Sequence, residues 1–196
     1  MNAVRYTAPS GALVFASGSM QWSFGLSDYP DSRIQQATYN VLSDGGVQPG
    51  TPTDITTDPA NPPAFVAALA AREAEQAAPA TYAGAAVAGQ QQAAYPDIAP
   101  AHLAMPPAQA FALALATARA MPGWTIAATD PQAGRIEASQ ASFWFGFVDD
   151  VVIRVAGDGP GSRVDLRSLS RQGVGDLGVN ARRVRAYLAA LAQATN

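Results

Sequence analysis

The sequence predicts an α+β protein in which two helices cover one face of an antiparallel sheet. An apolar stripe with helical spacing follows Pro106-Pro107, and a second one runs through the C-terminal residues. Between them, apolar and polar residues alternate as they do in half-buried strands. The order is helix, three or four strands, helix, which a meander with both helices on one side satisfies most simply. With 196 residues, 48% of them apolar, the chain can supply a core.

The N-terminal part predicts one strand and one helix. Residues 12–16 read ALVFA, an apolar run bounded by Gly11 and Gly18, which is typical of a strand buried on both faces of a parallel sheet. Asp31 can cap the helix that follows. One strand and one helix cannot close a core by themselves. We therefore expect residues 1–46 to form a βα appendage.

The middle of the chain changes composition twice. Residues 47–61 are rich in Gly, Pro, Thr and Asp, which is typical of a linker. Asn61-Pro62 then reads as the cap and first turn of an alanine-rich helix. Residues 77–100 have two readings, a further short helix or a low-complexity linker. We expect an alanine-rich helical or extended segment at 62–100, ahead of the α+β domain at 101–196.

Within the α+β domain the elements follow one another closely. The first helix begins at Pro106-Pro107 and ends at Met121, because Pro122-Gly123 stops it. Strands are predicted over residues 124–128, 135–140, 151–155 and 163–167. The run GDGPG at residues 157–161 predicts the turn between the last two strands. Asp176 can cap the final helix, which extends through Leu191.

Composition excludes several classes of function. The net charge is −3, and residues 135–196 carry eight arginines against six acids, an excess too small to predict nucleic-acid binding. The chain has no cysteine, which excludes disulfides, thiolate nucleophiles and cysteine-ligated zinc. No residue pattern indicates a cofactor or a metal.

The sequence predicts no membrane-spanning segment. No signal peptide is visible at the N-terminus, and the two longest uncharged windows, around residues 76–96 and 98–118, are interrupted by proline or glutamine. A cytoplasmic location is the default expectation.

The residues that most often carry catalysis are poorly placed for it. Asp149 and Asp150 are adjacent on a predicted strand end, so they point to opposite faces and cannot share a proton or a metal. We expect them in a solvated turn. His102 is the only histidine, lies far from any carboxylate in sequence and is expected to be a surface or packed imidazole. Ser168 and Ser170 have no identifiable base.

Two further features have a structural and a functional reading. The run GDGPG lacks the lysine of a phosphate-binding loop, so a hairpin turn explains it better. The aromatic residues Phe143, Trp144, Phe145 and Phe147 alternate, so Trp144 points away from the other three. Core packing explains this cluster, but an exposed Trp144 would also suit a ligand or partner surface.

The most specific candidate site is a group of arginines beside a predicted helix start. The group comprises Arg154, Arg167, Arg171, Asp176, Asn180 and Arg183. Guanidinium groups near a helix N-terminus can hold a carboxylate or a phosphate. The alternative is structural: ion pairs with Glu137 and Asp165 across the strands, and capping by Asp176.

The N-terminal part resembles a known enzyme family. The segments APSGALVFASGSMQWSFGLSDY and RIQQATYNVL are similar to the closing strand and helix of the C-terminal region of the N,N-dimethylformamidase large subunit. The resemblance covers roughly residues 5–45, and GSMQWSFGL is its most specific part. The resemblance implies that a fragment of that enzyme is joined to this chain, either as a natural fusion or as a fusion scar. The iron ligands of that family lie upstream and have no counterpart here, so no catalytic residue carries over.

The rest of the chain resembles the bacterial and plastid family known as domain of unknown function 1499. The similar segments include DITTDPANPPAF, AAYPDIAP, WFGFVDDVVIRV, GSRVDLRSLSR and GDLGVNARRVRAYLAAL, so the resemblance covers about residues 53–196. In pattern alone, the order of helix, meander and helix is also similar to the helix-grip repeats of the outer-membrane assembly lipoprotein C. Many family members carry hydrophobic segments before this domain, so the resemblance also admits a membrane-associated or periplasmic location. The family has no established activity to transfer.

The sequence therefore leads to two hypotheses about function. The first is a non-catalytic binding or assembly module that recognises an acidic protein partner or a small anion through its arginines. The alternative is a hydrolase, either an amide hydrolase by the resemblance of residues 5–45 or one that uses Asp149 and Asp150.

Overall fold

The structure of the protein is a computed structural model. It describes residues 52–141, 147–172 and 178–195 in full and, nearer the N-terminus, the backbone of residues 4–7 and 13–16. The described residues fall into two units, one with the two N-terminal strands and one with all the others. No helix in the described part of the chain has the length and apolar character needed to cross a bilayer.

The first unit contains strands β1 (Val4–Thr7) and β2 (Leu13–Ala16). They pair antiparallel. The predicted N-terminal strand is therefore present, but the expectation of a parallel sheet is wrong. The connection from β1 to β2 is too short for the crossover that parallel strands require. The helix predicted after Asp31 lies outside the described residues.

The second unit is built on a six-stranded antiparallel sheet. Its strands are β3 (Asp54–Thr56), β4 (Ala101–Leu103), β5 (Trp124–Asp130), β6 (Arg135–Ala141), β7 (Val148–Asp158) and β8 (Gly161–Ser170). The order across the sheet is β3-β8-β7-β6-β5, and β4 pairs with the same edge of β8 as β3. The four consecutive strands β5 to β8 confirm the predicted meander and the α+β class.

The turn between β7 and β8 confirms the hairpin reading of GDGPG. Asp158 pairs with Gly161, which leaves Gly159-Pro160 as a two-residue loop. Gly159 has φ of 55°, the left-handed conformation that such a loop requires at its first position and that glycine adopts without strain.

Strands β3 and β4 were not predicted. β3 lies within residues 47–61, which the composition indicated to be a linker, and it pairs with β8 so that Asp54 is opposite Leu169. The linker expectation therefore does not hold for residues 54–56. A strand of three residues is too short to show the two-residue period, and its stability comes from the neighbouring strand. Where the domain boundaries of the chain lie stays a prediction.

Four helices occur among the described residues. They are α1 (Ala68–Ala74), α2 (Ala85–Ala94), α3 (Pro107–Ala120) and α4 (Val179–Ala194). α3 and α4 confirm the two helices predicted to flank the meander, and α2 confirms the helical reading of residues 77–100. Gly178, with φ of 73°, precedes α4. The predicted cap Asp176 lies outside the described residues.

Helix α1 begins later than the sequence predicts because its cap comes from the sheet. Its own flanking residue, Ala67, has no side chain that can accept a hydrogen bond. Instead the buried carboxylate of Glu137, on β6, accepts the backbone N–H groups of Val66, Ala67 and Ala68, each at 2.9 Å. The partial positive charge of a helix N-terminus stabilises such a carboxylate. Glu137 thus fixes the position of α1 on the sheet.

The main hydrophobic core lies between the sheet and helices α3 and α4, and we call this side of the sheet the helix face. Ile136, Ile153 and Leu166 from β6, β7 and β8 are fully buried there, together with Tyr187 of α4. The Tyr187 hydroxyl donates to the carbonyl oxygen of Ala114 at 3.0 Å. Both flanking helices therefore cover one face, as the sequence predicts.

The free edge of β3 is covered by one side chain of α2. The Gln91 amide oxygen accepts the backbone N–H of Thr56 at 2.9 Å, and its amide nitrogen donates to the Thr56 carbonyl at 2.7 Å. A primary amide reproduces the donor and acceptor that a further strand would present.

Candidate functional site

The opposite side of the sheet carries charged residues, and we call it the ionic face. Its charged residues on β6 to β8 or directly after β8 are Arg135, Glu137, Asp150, Arg154, Asp158, Arg163, Asp165, Arg167 and Arg171. They alternate along β6 to β8 with the apolar residues of the helix face, as the pleat of a sheet requires. Residues 58–82, which we call the covering segment, lie over this face, where Phe65 and Ala68 pack against Val152 and Leu169.

Arg167 fastens the covering segment to the centre of the ionic face. Its guanidinium makes a two-point contact with the Asp54 carboxylate, at 2.8 and 2.7 Å, and donates to the Ala80 carbonyl at 2.7 Å. The same group stacks between the rings of Phe65 and Tyr82, at 5.1 and 5.5 Å from their centroids. Burial, together with the Asp54 charge, raises the pKa of Tyr82.

Asp150 holds two arginines at the end of the ionic face. Arg171 donates to both of its carboxylate oxygens, at 2.9 and 2.8 Å, and Arg72 of α1 donates at 2.7 Å. Arg171 also pairs with Glu75. The hydrogen bond with Asp150 raises the pKa of Arg171, so this cation stays charged. The expectation of a solvated turn for Asp149 and Asp150 is wrong, since both lie within β7, where Asp150 is buried and Asp149 pairs with Arg183.

Arg154 and Arg163, which we call the arginine pair, form the more exposed end of the ionic face. One terminal nitrogen of each contacts the same carboxylate oxygen of Asp58, at 3.0 Å from Arg154 and 2.8 Å from Arg163. Both also contact Asp165, at 2.8 and 2.9 Å. Burial opposes the charge of Arg163, but the hydrogen bond with Asp165 and the charges of Asp165, Asp58 and Asp158 raise its pKa. The four groups form a neutral cluster of two cations and two anions.

A second polar network lies on the helix face. Arg183 of α4 donates to Asp149 at 2.6 Å and to Ser168 at 3.0 Å. Asn180 donates to Ser170 at 2.8 Å and accepts from Ser168 at 2.6 Å. The serines thus bind an amide and a guanidinium, and neither group is a base that could activate them. Asp149 and Asp150 point to opposite faces, as the sequence predicts.

The structure separates the predicted arginine group. Arg154, Arg167 and Arg171 lie on the ionic face, whereas Asn180 and Arg183 lie on the helix face. Asp176 and Trp144 are outside the described residues, as are Phe143 and Phe145. The ion pairing with Asp165 that the structural alternative predicted is present through Arg154. Glu137 pairs instead with Arg135, which is outside the predicted group. Whether any of these residues binds a ligand stays a prediction.

His102 lies at the surface, which is one of the two positions that the sequence allowed. It is on β4, and its Nδ1 is 2.7 Å from an exposed carboxylate oxygen of Asp158. Within the described ranges, no cluster of three or more histidine, aspartate or glutamate side chains is arranged to hold a metal ion.

Sequence reasoning missed the residues that complete the ionic face. Asp54, Asp58 and Arg72 precede the predicted domain, and the first two lie in the expected linker. Arg163 was not included in the predicted group, although it shares a face with Arg167. The two-residue period of β8 would have placed it there.

Comparisons with solved structures found weak likenesses, among them the following two. Protein TTHA0849 from Thermus thermophilus is 11% identical, with a TM-score of 0.28, over 50% of this chain and 91% of its own. Protein CV1439 from Chromobacterium violaceum is 15% identical, with a TM-score of 0.29, over 49% of this chain and 95% of its own. No curated protein matches the chain.

A family model, in contrast, matches most of the second unit. The match runs over residues 54–191 and so begins at β3 and ends in α4, including the covering segment and both polar networks. The dimethylformamidase resemblance of residues 5–45 is not shown by these comparisons. The chain belongs to the family described as protein of unknown function, DUF1499.

Proposed function

We propose that this domain is a non-catalytic binding module that recognises an acidic group at the arginine pair. The observation that carries the proposal is the convergence of two guanidinium groups, from neighbouring strands, on one oxygen of the Asp58 carboxylate. Charge-assisted contacts of this kind also hold carboxylates and phosphates of ligands. Asp58 belongs to the covering segment and not to the sheet, so an outside anion can take its place.

Exposure distinguishes the arginine pair from Arg167 at the centre of the ionic face. The side chains of Arg154 and Arg163 are 25% and 35% exposed, whereas that of Arg167 is 3% exposed. A buried guanidinium with two carboxylate contacts has no room for a ligand. Arg154, from the predicted group, and its neighbour Arg163 are therefore the arginines that we propose an acidic partner or a small anion reaches.

Asp58 sets the chemistry of the ligand. As an internal carboxylate it competes at a high effective concentration. A ligand with a single charge therefore competes weakly, while a phosphate or an acidic segment of a protein partner, which carries more charge, competes better.

Calorimetric titration of the full chain with inorganic phosphate and with a hexaglutamate peptide tests the proposal. We expect Asp58→Asn to raise the affinity about two- to tenfold, because it weakens two half-buried ion pairs and so reduces the competition with the ligand by about 1 kcal/mol. The asparagine can still accept the Asn61 N–H, which Asp58 Oδ1 accepts at 3.1 Å, so the local turn is kept. The double variant Arg154→Gln, Arg163→Gln should lose binding.

Arg119→Gln is the matched control, because Arg119 is an exposed arginine on α3. It should bind both probes as the natural chain does. If Asp58→Asn leaves the affinity unchanged, or if the double variant still binds, the arginine pair is not the site. The amide-hydrolase alternative rests on residues 5–45 and stays a prediction that release of dimethylamine from dimethylformamide would test. For a hydrolase that uses Asp149 and Asp150 the geometry gives no support, because the two carboxylates lie on opposite faces and bind different arginines.

A further inference from the structure

A cleft adjoins the ionic face beside the arginine pair. It has a volume of about 680 Å³ and lies between the start of α1 and the turn from β5 to β6. Its apolar walls are formed by Val66, Ala67, Ala128 and Pro131, and its polar walls include Asp130 and Arg135. Small-molecule sites in proteins have volumes of this order and combine apolar walls with a few polar groups.

Arg135 connects this cleft with the arginine pair. It lines the cleft, and in the register of the sheet it is directly opposite Arg154, which places the two β-carbons about 5 Å apart. Its Nε is 3.2 Å from Glu137, and one terminal nitrogen is 3.1 Å from Asp130. The other terminal nitrogen takes part in neither contact. The cleft therefore has a cationic group at the end nearest the arginine pair.

Val66 gives the cleft its largest exposed apolar side chain. This side chain is 51% exposed, and among the described residues only Leu69 is a similarly exposed large apolar residue. The backbone N–H of Val66 donates to Glu137, so the residue is held at the wall of the cleft whatever its side chain. Leu69 lies on α1 and lines a different groove.

We propose that the cleft binds the apolar part of a small amphipathic acid whose acidic group is held by Arg135 and the arginine pair. This inference rests on the proposed function, because the acidic group occupies the same arginines. It adds the class of ligand: a monocarboxylate with a short alkyl chain. A single carboxylate competes weakly with Asp58. Burial of the alkyl chain in the cleft supplies the additional affinity.

The test compares acetate with octanoate, below its micelle concentration, by calorimetric titration of the full chain and of its Asp58→Asn variant. Each methylene group of a ligand raises its affinity about fourfold when it is fully buried. Because this cleft is half open, each methylene contributes only part of that factor. We therefore expect octanoate to bind at least about tenfold more tightly than acetate. Arg154→Gln with Arg163→Gln should weaken both acids.

Val66→Ser and Leu69→Ser form a matched pair for the cleft itself. Val66→Ser should reduce the ratio of octanoate to acetate affinity to about threefold or less, whereas Leu69→Ser should leave it unchanged. Equal effects of the two variants would overturn the assignment to this cleft. Equal affinities of acetate and octanoate, with phosphate still bound, would overturn the inference and leave the proposed function standing. Failure of phosphate and both acids to bind would overturn both.

Discussion

The two faces of the sheet are stabilised by different chemistry although they share the same strands. On the helix face, Ile153 and Leu166 are fully buried against α3 and α4. On the ionic face, Asp150 and Asp165 are buried to the same degree but are surrounded by guanidinium groups. Apolar burial has no directional requirement, whereas ion pairs form only in one geometry. Apolar burial on the helix face therefore stabilises the folded state, and the ion pairs of the ionic face fix the position of the covering segment.

The largest effect is expected on the ionic face, at Asp150. Asp150→Asn removes the charge shared by Arg72 and Arg171 and leaves both guanidinium groups buried beside a neutral amide. Breaking a buried ion pair in this way costs about 3–5 kcal/mol. Denaturant unfolding measures this cost. Asp97→Asn, which weakens the exposed pair with Arg185, is the control and should leave the midpoint almost unchanged. A similar effect of both substitutions would contradict the difference between buried and exposed pairs.

A somewhat smaller effect is expected on the helix face, at Leu166. Leu166→Ala removes a fully buried side chain and leaves a cavity against the two helices, which costs about 2–5 kcal/mol. Amide hydrogen exchange distinguishes the two faces. Leu166→Ala should speed exchange throughout the second unit, whereas Asp150→Asn should speed it most in the covering segment. If both variants speed amide exchange equally throughout the second unit, the two faces unfold as one cooperative unit.

Alkaline pH is expected to lower the stability of the second unit through Tyr187 on the helix face. Burial raises the pKa of Tyr187 above the unfolded value of about 10, so above that pH the unfolded chain loses a proton that the folded chain keeps. Stability should therefore fall as pH rises above about 10, by about 1.4 kcal/mol per pH unit for this residue. Tyr187→Phe should remove that part of the slope. An unchanged slope would mean that the hydroxyl is not buried. The hydrogen bond with Asp150 raises the pKa of Arg171, so this guanidinium stays charged in this range.

The smallest expected effect is an increase in stability, from a substitution at the end of α1 in the covering segment. Gln76 adopts φ of 52° there, and the N–H of Ala77 donates to the Arg72 carbonyl at 2.9 Å, a helix end that usually places glycine at this position. Gln76→Gly should stabilise the chain by about 0.5–1 kcal/mol. Thermal unfolding measures the gain. Glu73→Gly, within α1, is the control and should destabilise. If both substitutions destabilise the chain, the proposed strain at Gln76 is contradicted.

The helix face was largely predictable because its signal is local. The apolar period of α3 and α4 and the alternation in β5 to β8 each lie within one continuous segment. Pro107 and Gly159 marked a helix start and a turn in the expected places. The pairing of β3 and β4 with β8 could not be predicted from the sequence, because a strand of three residues is too short to show the alternation of apolar and polar side chains.

The ionic face was predicted only in part because its contacts join distant segments. Asp58 is 96 residues from Arg154 in the chain, and Asp54 is 113 residues from Arg167. No spacing rule relates such residues. The predicted arginine group also combined residues of two faces, because Arg171 points to the ionic face whereas Arg183 lies on α4, which packs on the helix face.

The contact between Gln91 and Thr56 bears on how the chain behaves at high concentration. An uncovered strand edge is a template on which another molecule can add a strand, and such addition begins fibril growth. Here a foreign strand would first have to displace a side-chain amide that already uses the donor and the acceptor of Thr56. One glutamine on a weakly amphipathic helix thus protects β3 against aggregation.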